Sequence, residues 1–112
     1  MFLQYILNPI INSFLVNKTK NAFCINGYFY TYDQFAIYVS KIRTAIQSTH
    51  IENPNIGLVI NDDIETYGSI IALWLEGFAY VPLHPMYPLE RNLDIISQTE
   101  IKLILDSSNK TV

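Results

Sequence analysis

Cysteine is almost absent from this sequence, and its scarcity excludes one class of small folds. Cys24 is the single cysteine, so it has no partner for a disulfide and the chain cannot be a disulfide-stapled scaffold. A lone cysteine is typical of a reducing compartment, and we expect a cytoplasmic location. No neighbouring residue would activate the thiol. We therefore predict that Cys24 is a small packing residue and not a nucleophile.

Basic residues are also scarce. Seven Lys and Arg stand against ten Asp and Glu, giving a net charge of −3. The basic residues form no cluster, so we expect no nucleic-acid partner. The first basic residue is Lys18, so the start of the chain lacks the basic region of a secretory signal. No apolar stretch is long enough to span a bilayer, and a membrane-surface helix is the less favoured alternative because its Lys and Arg are missing.

What the sequence does contain is apolar residues, at 50% of the total, which excludes intrinsic disorder. In residues 1–21 they predict a helical segment, which begins either near the N-terminus or, because proline disturbs helices, near Pro9. Asn26-Gly27 predicts the turn of a β-hairpin over residues 22–31. Thr31 and Gln34 then form a predicted capping box for a helix over residues 32–50. The apolar residues of these two helices are Leu3, Ile6, Leu7, Ile10 and Phe14 in the first, and Phe35, Val39, Ile42 and Ile46 in the second.

Strands and helices alternate over residues 55–106. The predicted order is strand Ile56–Ile60, helix Ile64–Glu76, strand Ala79–Leu83, helix Pro88–Gln98 and strand Lys102–Asp106. A βαβαβ order means a parallel sheet with right-handed crossovers. The predicted fold class is therefore α/β, an N-terminal β-hairpin followed by a βαβαβ unit. Three strands and a hairpin leave edges and faces that further elements usually cover. We expect residues 1–112 to form a single partial domain, the beginning of a larger one.

No complete catalytic or metal-binding motif is present. The sequence has neither a dinucleotide-binding G-x-G-x-x-G nor a phosphate-binding G-x-x-x-x-G-K-[ST], and no His and Cys pair has metal-ligand spacing. We therefore name no catalytic residue and no metal ligand. His84 is the one site candidate, because ligands of α/β sheets bind beyond the carboxyl ends of strands; a structural hydrogen bond is the alternative. We interpret Asp62 and Asp63 as helix caps, and Glu90 and Arg91 as a solvated first turn.

Two segments carry a family resemblance. Residues Leu75–Arg91 resemble the L-K-A-G-x-A-Y-V-P-L-D-P-x-Y-P-x-E-R motif of the adenylate-forming (AMP-binding) superfamily. Residues Tyr30–Phe35 resemble its earlier L-[TS]-Y-x-E-L motif. The similarity extends roughly from Phe14 to Ser107, and is greatest to amino-acid adenylation domains of nonribosomal peptide synthetases and to D-alanine–carrier-protein ligases. The matching positions, which we transfer as structural positions only, are Thr31, Tyr32, Gly77, Ala79, Tyr80, Pro82 and Pro85. Departures are His84 for the usual Asp, Leu75 and Glu76 for Lys and Ala, and Gln34 for Glu.

The resemblance implies a role within a larger enzyme. The chain would be the incomplete first part of the large subdomain, a scaffold segment of an ATP-dependent ligase. That parent would activate a carboxylate, such as an amino acid, as an acyl-adenylate and transfer it to a carrier-protein thiol. ATP and magnesium would be cofactors of the parent, and the partners would be the remainder of the adenylation domain and a carrier protein. The family's phosphate loop and C-terminal lysine have no counterpart in this sequence, so we expect the chain alone to bind no cofactor and to be inactive.

Two alternative hypotheses come from other classes. In the first, the chain is a non-catalytic α/β interaction module that dimerises, or binds a protein partner, through its sheet edge or the helix Leu3–Phe14. In the second, it is a small nucleotide-binding domain that uses the crevice near Asn61 and His84. The missing phosphate loop argues against the second hypothesis.

Overall fold

A computed structural model describes the backbone of residues 2–108 and the side chains of residues 8–108. Its elements are α1 (Phe2–Val16), β1 (Asn21–Ile25), β2 (Tyr28–Thr31), α2 (Tyr32–Thr49), β3 (Asn55–Val59), α3 (Ile64–Leu75), β4 (Ala79–Leu83), α4 (Leu89–Thr99) and β5 (Ile104–Leu105). Within this described part, no helix is both long enough and apolar enough to cross a membrane.

Helix α1 includes Pro9 in its interior, so the alternative in which the helix starts near Pro9 is wrong. The missing proline N–H costs a turn one hydrogen bond, and the helix continues through it. Near its end, the ring of Phe14 packs edge-on against Tyr32 at 5.9 Å and lies 5.6 Å from the ring of Phe35. These contacts join α1 to the start of α2.

The hairpin forms at the predicted turn. Asn26 and Gly27 have φ angles of 53° and 80°, the left-handed conformation that this two-residue turn requires. Strand β1 pairs antiparallel with β2, and Cys24 lies opposite Phe29. Cys24 is exposed, so its predicted packing role is wrong. Side chains alternate along a strand, so the neighbours of Cys24, Phe23 and Ile25, face the core. The rings of Phe23 and Phe35 accordingly pack with centroids 4.7 Å apart.

Three parallel strands form the second sheet, in the order β4-β3-β5. Central strand β3 is closely covered: Ile56 and Leu58 are 0% and 1% exposed. Gly57 lies under the side chains of Leu83, Ile101 and Ile104, with no room for a Cβ. Strand β5 pairs over two residues only, which is shorter than the predicted Lys102–Asp106. The observed α/β class, a hairpin followed by a parallel βαβαβ sheet, confirms the predicted fold class.

Helices α2 and α3 form the densest part of the core, whereas α4 is poorly covered. The core cluster unites α2, β3 and α3 through Phe35, Val39, Ile46, Ile56, Ile64, Ala72 and Leu73. Helix α4 has no buried residue. Its Leu89 and Leu93, one turn apart, are 73% and 53% exposed, and Met86 just before it is 92% exposed. We term Met86, Leu89 and Leu93 the α4 ridge, an apolar surface left open on this chain.

Candidate functional site

Polar residues gather where β3 and β5 end, at the edge of the sheet where α/β proteins place their ligands. The Asn61 side-chain amide, just after β3, donates to Asp106 Oδ1 at 3.3 Å and to Ser107 Oγ at 3.1 Å, just after β5. Asp63 caps α3 by accepting from the Thr66 amide at 2.8 Å. Its second oxygen accepts from the Ser107 hydroxyl. This network ties the end of β5 to the start of α3.

The carboxylates of this network already have donors from the protein. Asp106 accepts from the Ser108 amide at 2.9 Å and hydroxyl at 2.6 Å, and these bonds, against the opposing effect of burial, hold the pKa of Asp106 below its ordinary value. Asp62 accepts from the Tyr67 hydroxyl at 2.7 Å, which, with burial, raises the pKa of Tyr67. Among the described residues, no group of His, Cys, Asp and Glu could hold a metal ion. The geometry is that of a structural tie.

His84 lies beyond the end of β4, as predicted, and its carbonyl is the part that the fold uses. That carbonyl accepts from the Tyr87 amide at 3.1 Å and from the Asn92 side-chain amide at 3.0 Å. The His84 ring lies 4.8 Å from the Tyr87 ring. On the same tyrosine, the guanidinium carbon of Arg91 stacks 4.0 Å from the ring centroid. The contacts give His84 a place in a packed turn; its assignment as a site candidate stays a prediction.

Sequence reasoning misses two participants here. Arg91 is not simply a solvated first-turn residue, because it stacks on Tyr87. Ser107 belongs to no motif, although it joins Asp63 to Asn61. A signal is present for Ser107: it follows a predicted strand, so it has to lie at the same sheet edge as Asn61. Asn61 bonds to the residues after β5, whereas His84 packs on its own turn after β4.

The positions transferred from the resemblance occupy two places. Thr31 caps α2, with its amide donating to Gln34 Oε1 at 2.9 Å and its hydroxyl accepting from the Gln34 amide at 3.2 Å; Tyr32 is the first helical residue. The others lie along the entry to β4, its length and its exit: Gly77, Ala79, Tyr80, Pro82 and Pro85. Gly77 has a φ of 82°, a conformation that follows naturally from a helix end. Their roles stay predictions.

Two grooves lie on the described surface, away from the ends of the strands. An apolar groove of about 330 Å³ lies between α1, β1, α2 and α3, lined mainly by aromatic and aliphatic side chains including Phe14, Phe23 and Trp74. A smaller groove of about 210 Å³ lies between β2 and α2. We term it the tyrosine groove, and its lining is Tyr28, Tyr30, Gln34, Ile37, Tyr38 and Lys41.

Comparison with known sequences finds large peptide synthetases, although no family model matches the chain. Over 76 residues, 67% of this chain, it is 29% identical to a plipastatin synthase polypeptide of Bacillus subtilis (strain 168), of which it covers 2%. Over 50 residues, 44% of the chain, it is 38% identical to the ferrichrome siderophore peptide synthetase of Mycosarcoma maydis, of which it covers 1%. The chain therefore spans a very small part of these relatives.

Comparison of structures decides which part is matched. The crystal structure of holo-AB3403, a four-domain nonribosomal peptide synthetase bound to AMP and glycine, superposes with a TM-score of 0.81 and 25% sequence identity over 95% of this chain and 8% of that one. This chain is similar, in fold and at a distance in sequence, to a segment of a nonribosomal peptide synthetase adenylation domain. Its hairpin and parallel sheet match the N-terminal part of such domains. The resemblance read from Leu75–Arg91 is thereby confirmed.

Proposed function

We propose that the chain is the N-terminal scaffold segment of an ATP-dependent ligase that converts an amino acid to its acyl-adenylate and passes the acyl group to a carrier-protein thiol. The observation that carries the proposal is the match of 95% of this chain to 8% of a four-domain synthetase. In that parent, the carboxylate attacks ATP, pyrophosphate leaves, and a thiol then displaces AMP. Residues of this segment would support the sheet on which that chemistry takes place.

In this proposal the parent enzyme supplies the missing cover for the α4 ridge, the cofactors and the protein partner. Its α4 ridge, with Leu89 and Leu93 exposed, would be covered by the remainder of the adenylation domain, since contiguous exposed apolar patches mark interaction surfaces. Residues 1–112 would thus form a single partial domain. ATP and magnesium would bind to the parent, and a carrier protein would be its partner. The single cysteine supports a cytoplasmic location.

The first test is to sequence the transcript beyond the codon for Val112. We expect an open frame that continues into a Ser/Thr/Gly-rich loop containing a lysine. A stop codon directly after Val112 would contradict the proposal.

The second test is amino-acid-dependent exchange of pyrophosphate into ATP. It is measured on this chain and on the longer product of the open frame, which we term the continued polypeptide. We expect exchange from the continued polypeptide and none from the chain.

Dye binding tests the proposed covering of α4. We expect the 112-residue chain to bind more of an apolar-surface dye than the continued polypeptide at equal concentration, and the substitution Leu93→Ser to lower the signal in the chain alone. Leu15→Ser, at an exposed leucine of α1 away from the α4 ridge (65% exposed), is the matched control and should lower the difference between the two polypeptides less. Equal dye binding by both polypeptides would count against a covering role for the remainder of the domain.

A non-catalytic interaction module is the second candidate, and the exposed α4 ridge is the observation that favours it. In this case two copies of the chain would cover each other's ridge in a symmetric dimer. Sedimentation at several concentrations separates the two candidates. A concentration-dependent dimer that Leu93→Ser dissociates favours the module, whereas a monomer at every concentration that also binds no protein partner counts against it.

A further inference from the structure

The tyrosine groove has a shape and a chemistry of its own, apart from the sheet edge and the α4 ridge. Three tyrosine rings form a continuous row across it. The Tyr28 and Tyr30 rings lie 4.7 Å apart at 56°, and the Tyr30 and Tyr38 rings lie 6.1 Å apart, edge to face. The row is open at one end, where Tyr28 is 56% exposed, and along the helix side, where Ile37 is 54% exposed.

The polar atoms of the groove favour a ligand rich in hydrogen-bond acceptors. Lys41 can only donate. The Gln34 side-chain oxygen accepts from the Thr31 amide at 2.9 Å, and the Gln34 NH₂ group adds two N–H donors to the groove. Each tyrosine hydroxyl can donate, and burial together with the neighbouring Tyr38 raises the pKa of Tyr30, which keeps that hydroxyl protonated. Only one lining residue carries a charge, so the groove has little to offer a strongly charged peptide.

These features fit one kind of peptide. Proline has a backbone carbonyl and no N–H, so a proline-rich segment presents acceptors without donors. In the extended polyproline conformation those carbonyls have no internal partner. The prolyl rings pack on aromatic side chains, and the stiff chain loses little entropy on binding. We propose that the tyrosine groove binds an extended, proline-rich peptide segment, a role that does not depend on the adenylation proposal.

Titration of the 112-residue chain with a ten-proline peptide, acetylated and amidated, tests this inference. Binding is followed by tyrosine fluorescence, because the peptide has no aromatic residue, and by NMR shifts of β2 and α2. We expect saturable binding below about 1 mM, with shifts centred on Tyr28, Tyr30 and Tyr38. A Gly-Ser peptide of the same length, which carries backbone N–H groups and lacks rings, is expected to cause no saturable change.

Matched variants on one strand identify the binding face. Tyr28→Ala should weaken binding at least tenfold, whereas Phe29→Ala, the next residue on the opposite face with a similar exposure of 58%, should leave it unchanged. Tyr28→Phe keeps the ring, removes the donor and preserves the fold; we expect a smaller loss, of about threefold. No saturation with the proline peptide would overturn the inference. So would equal binding of the Gly-Ser peptide, tighter binding of a glutamate-rich peptide, or an equal effect of Phe29→Ala and Tyr28→Ala.

Discussion

Substitution of Gly57 by alanine tests the packing of the central strand. Its φ lies outside the left-handed region, so the backbone itself would accept alanine. The surrounding side chains leave too little space for it, because a Cβ on Gly57 would lie 2.6 Å from Ile101 Cδ1, 3.1 Å from Ile104 Cγ1 and 3.2 Å from Leu83 Cδ1. The first of these distances is well inside van der Waals contact, so a neighbouring side chain must move.

The expected cost follows from two opposing effects. Overpacking a closely packed core costs about 1–3 kcal/mol. Replacing glycine by alanine recovers about 0.4–1 kcal/mol by restricting the unfolded chain. The nearest atom is the terminal methyl of Ile101, which can move more easily than backbone. We therefore expect Gly57→Ala to lower the free energy of unfolding by about 1–2 kcal/mol.

A double-mutant cycle gives the decisive measurement. Ile101→Val deletes the Cδ1 methyl that collides with the new Cβ, and alone it should cost about 0.5–1.5 kcal/mol. In the double variant the two changes should compensate, so that the loss is smaller than the sum of the single losses by about 1 kcal/mol. Urea denaturation followed by Trp74 fluorescence measures all four proteins. Simple additivity, or a Gly57→Ala chain as stable as the original, would refute the packing argument.

Three further predictions concern the capping box, the ion pair and the polar tie. Thr31→Ala removes the acceptor of the α2 capping box and should cost about 1 kcal/mol in thermal unfolding followed by circular dichroism. The guanidinium of Arg43 lies 2.7 Å from Glu76 Oε2; although burial opposes it, this contact lowers the pKa of Glu76 from 4.5. The resulting stabilisation is present above pH 4.5 and is lost as the pH falls through the lowered pKa of Glu76. At neutral pH the original chain should be more stable than Glu76→Gln by under about 1 kcal/mol. In acid denaturation profiles this difference in stability should vanish. Ser107→Ala removes the hydroxyl that bonds to Asp63, and hydrogen exchange should show about fivefold faster exchange at the Gly57 amide, which donates to the carbonyl of Leu103, just before β5.

Local chemistry explains why so much of the fold could be predicted. The Asn26-Gly27 turn and the Thr31 capping box are short-range signals, and both form where the sequence places them. Gly77 likewise follows α3 with a positive φ. The strand order β4-β3-β5 could not be predicted, because it depends on which strands meet in space and no local pattern encodes it. The short β5 has the same cause: its neighbours decide how many of its residues pair.

The candidate site was predictable only in part. Asp63 acts as a helix cap, as its position before an apolar run indicated. The bond from Ser107 to Asp63 joins residues distant in sequence, so it requires the strand order that the sequence does not specify. The stacking of Arg91 on Tyr87 spans the start of α4, and helical spacing does not extend to residues outside the helix. Cys24 shows a different error, because the alternation along β1 is evident from the sequence but its inward and outward faces are not.

The central place of β3 has a consequence for synthesis on the ribosome. Asn55 pairs with Ala79, and Gly57 pairs with Ile104, so both neighbours of β3 emerge after it. The hairpin and α2 can form early from local contacts. Strand β3, with its apolar Ile56 and Leu58, keeps both edges unpaired until β4 and β5 have emerged. Contacts this distant in sequence form slowly, and an open apolar strand is prone to association with other chains. The nascent chain therefore has its greatest need of chaperone protection between the emergence of β3 and that of β5.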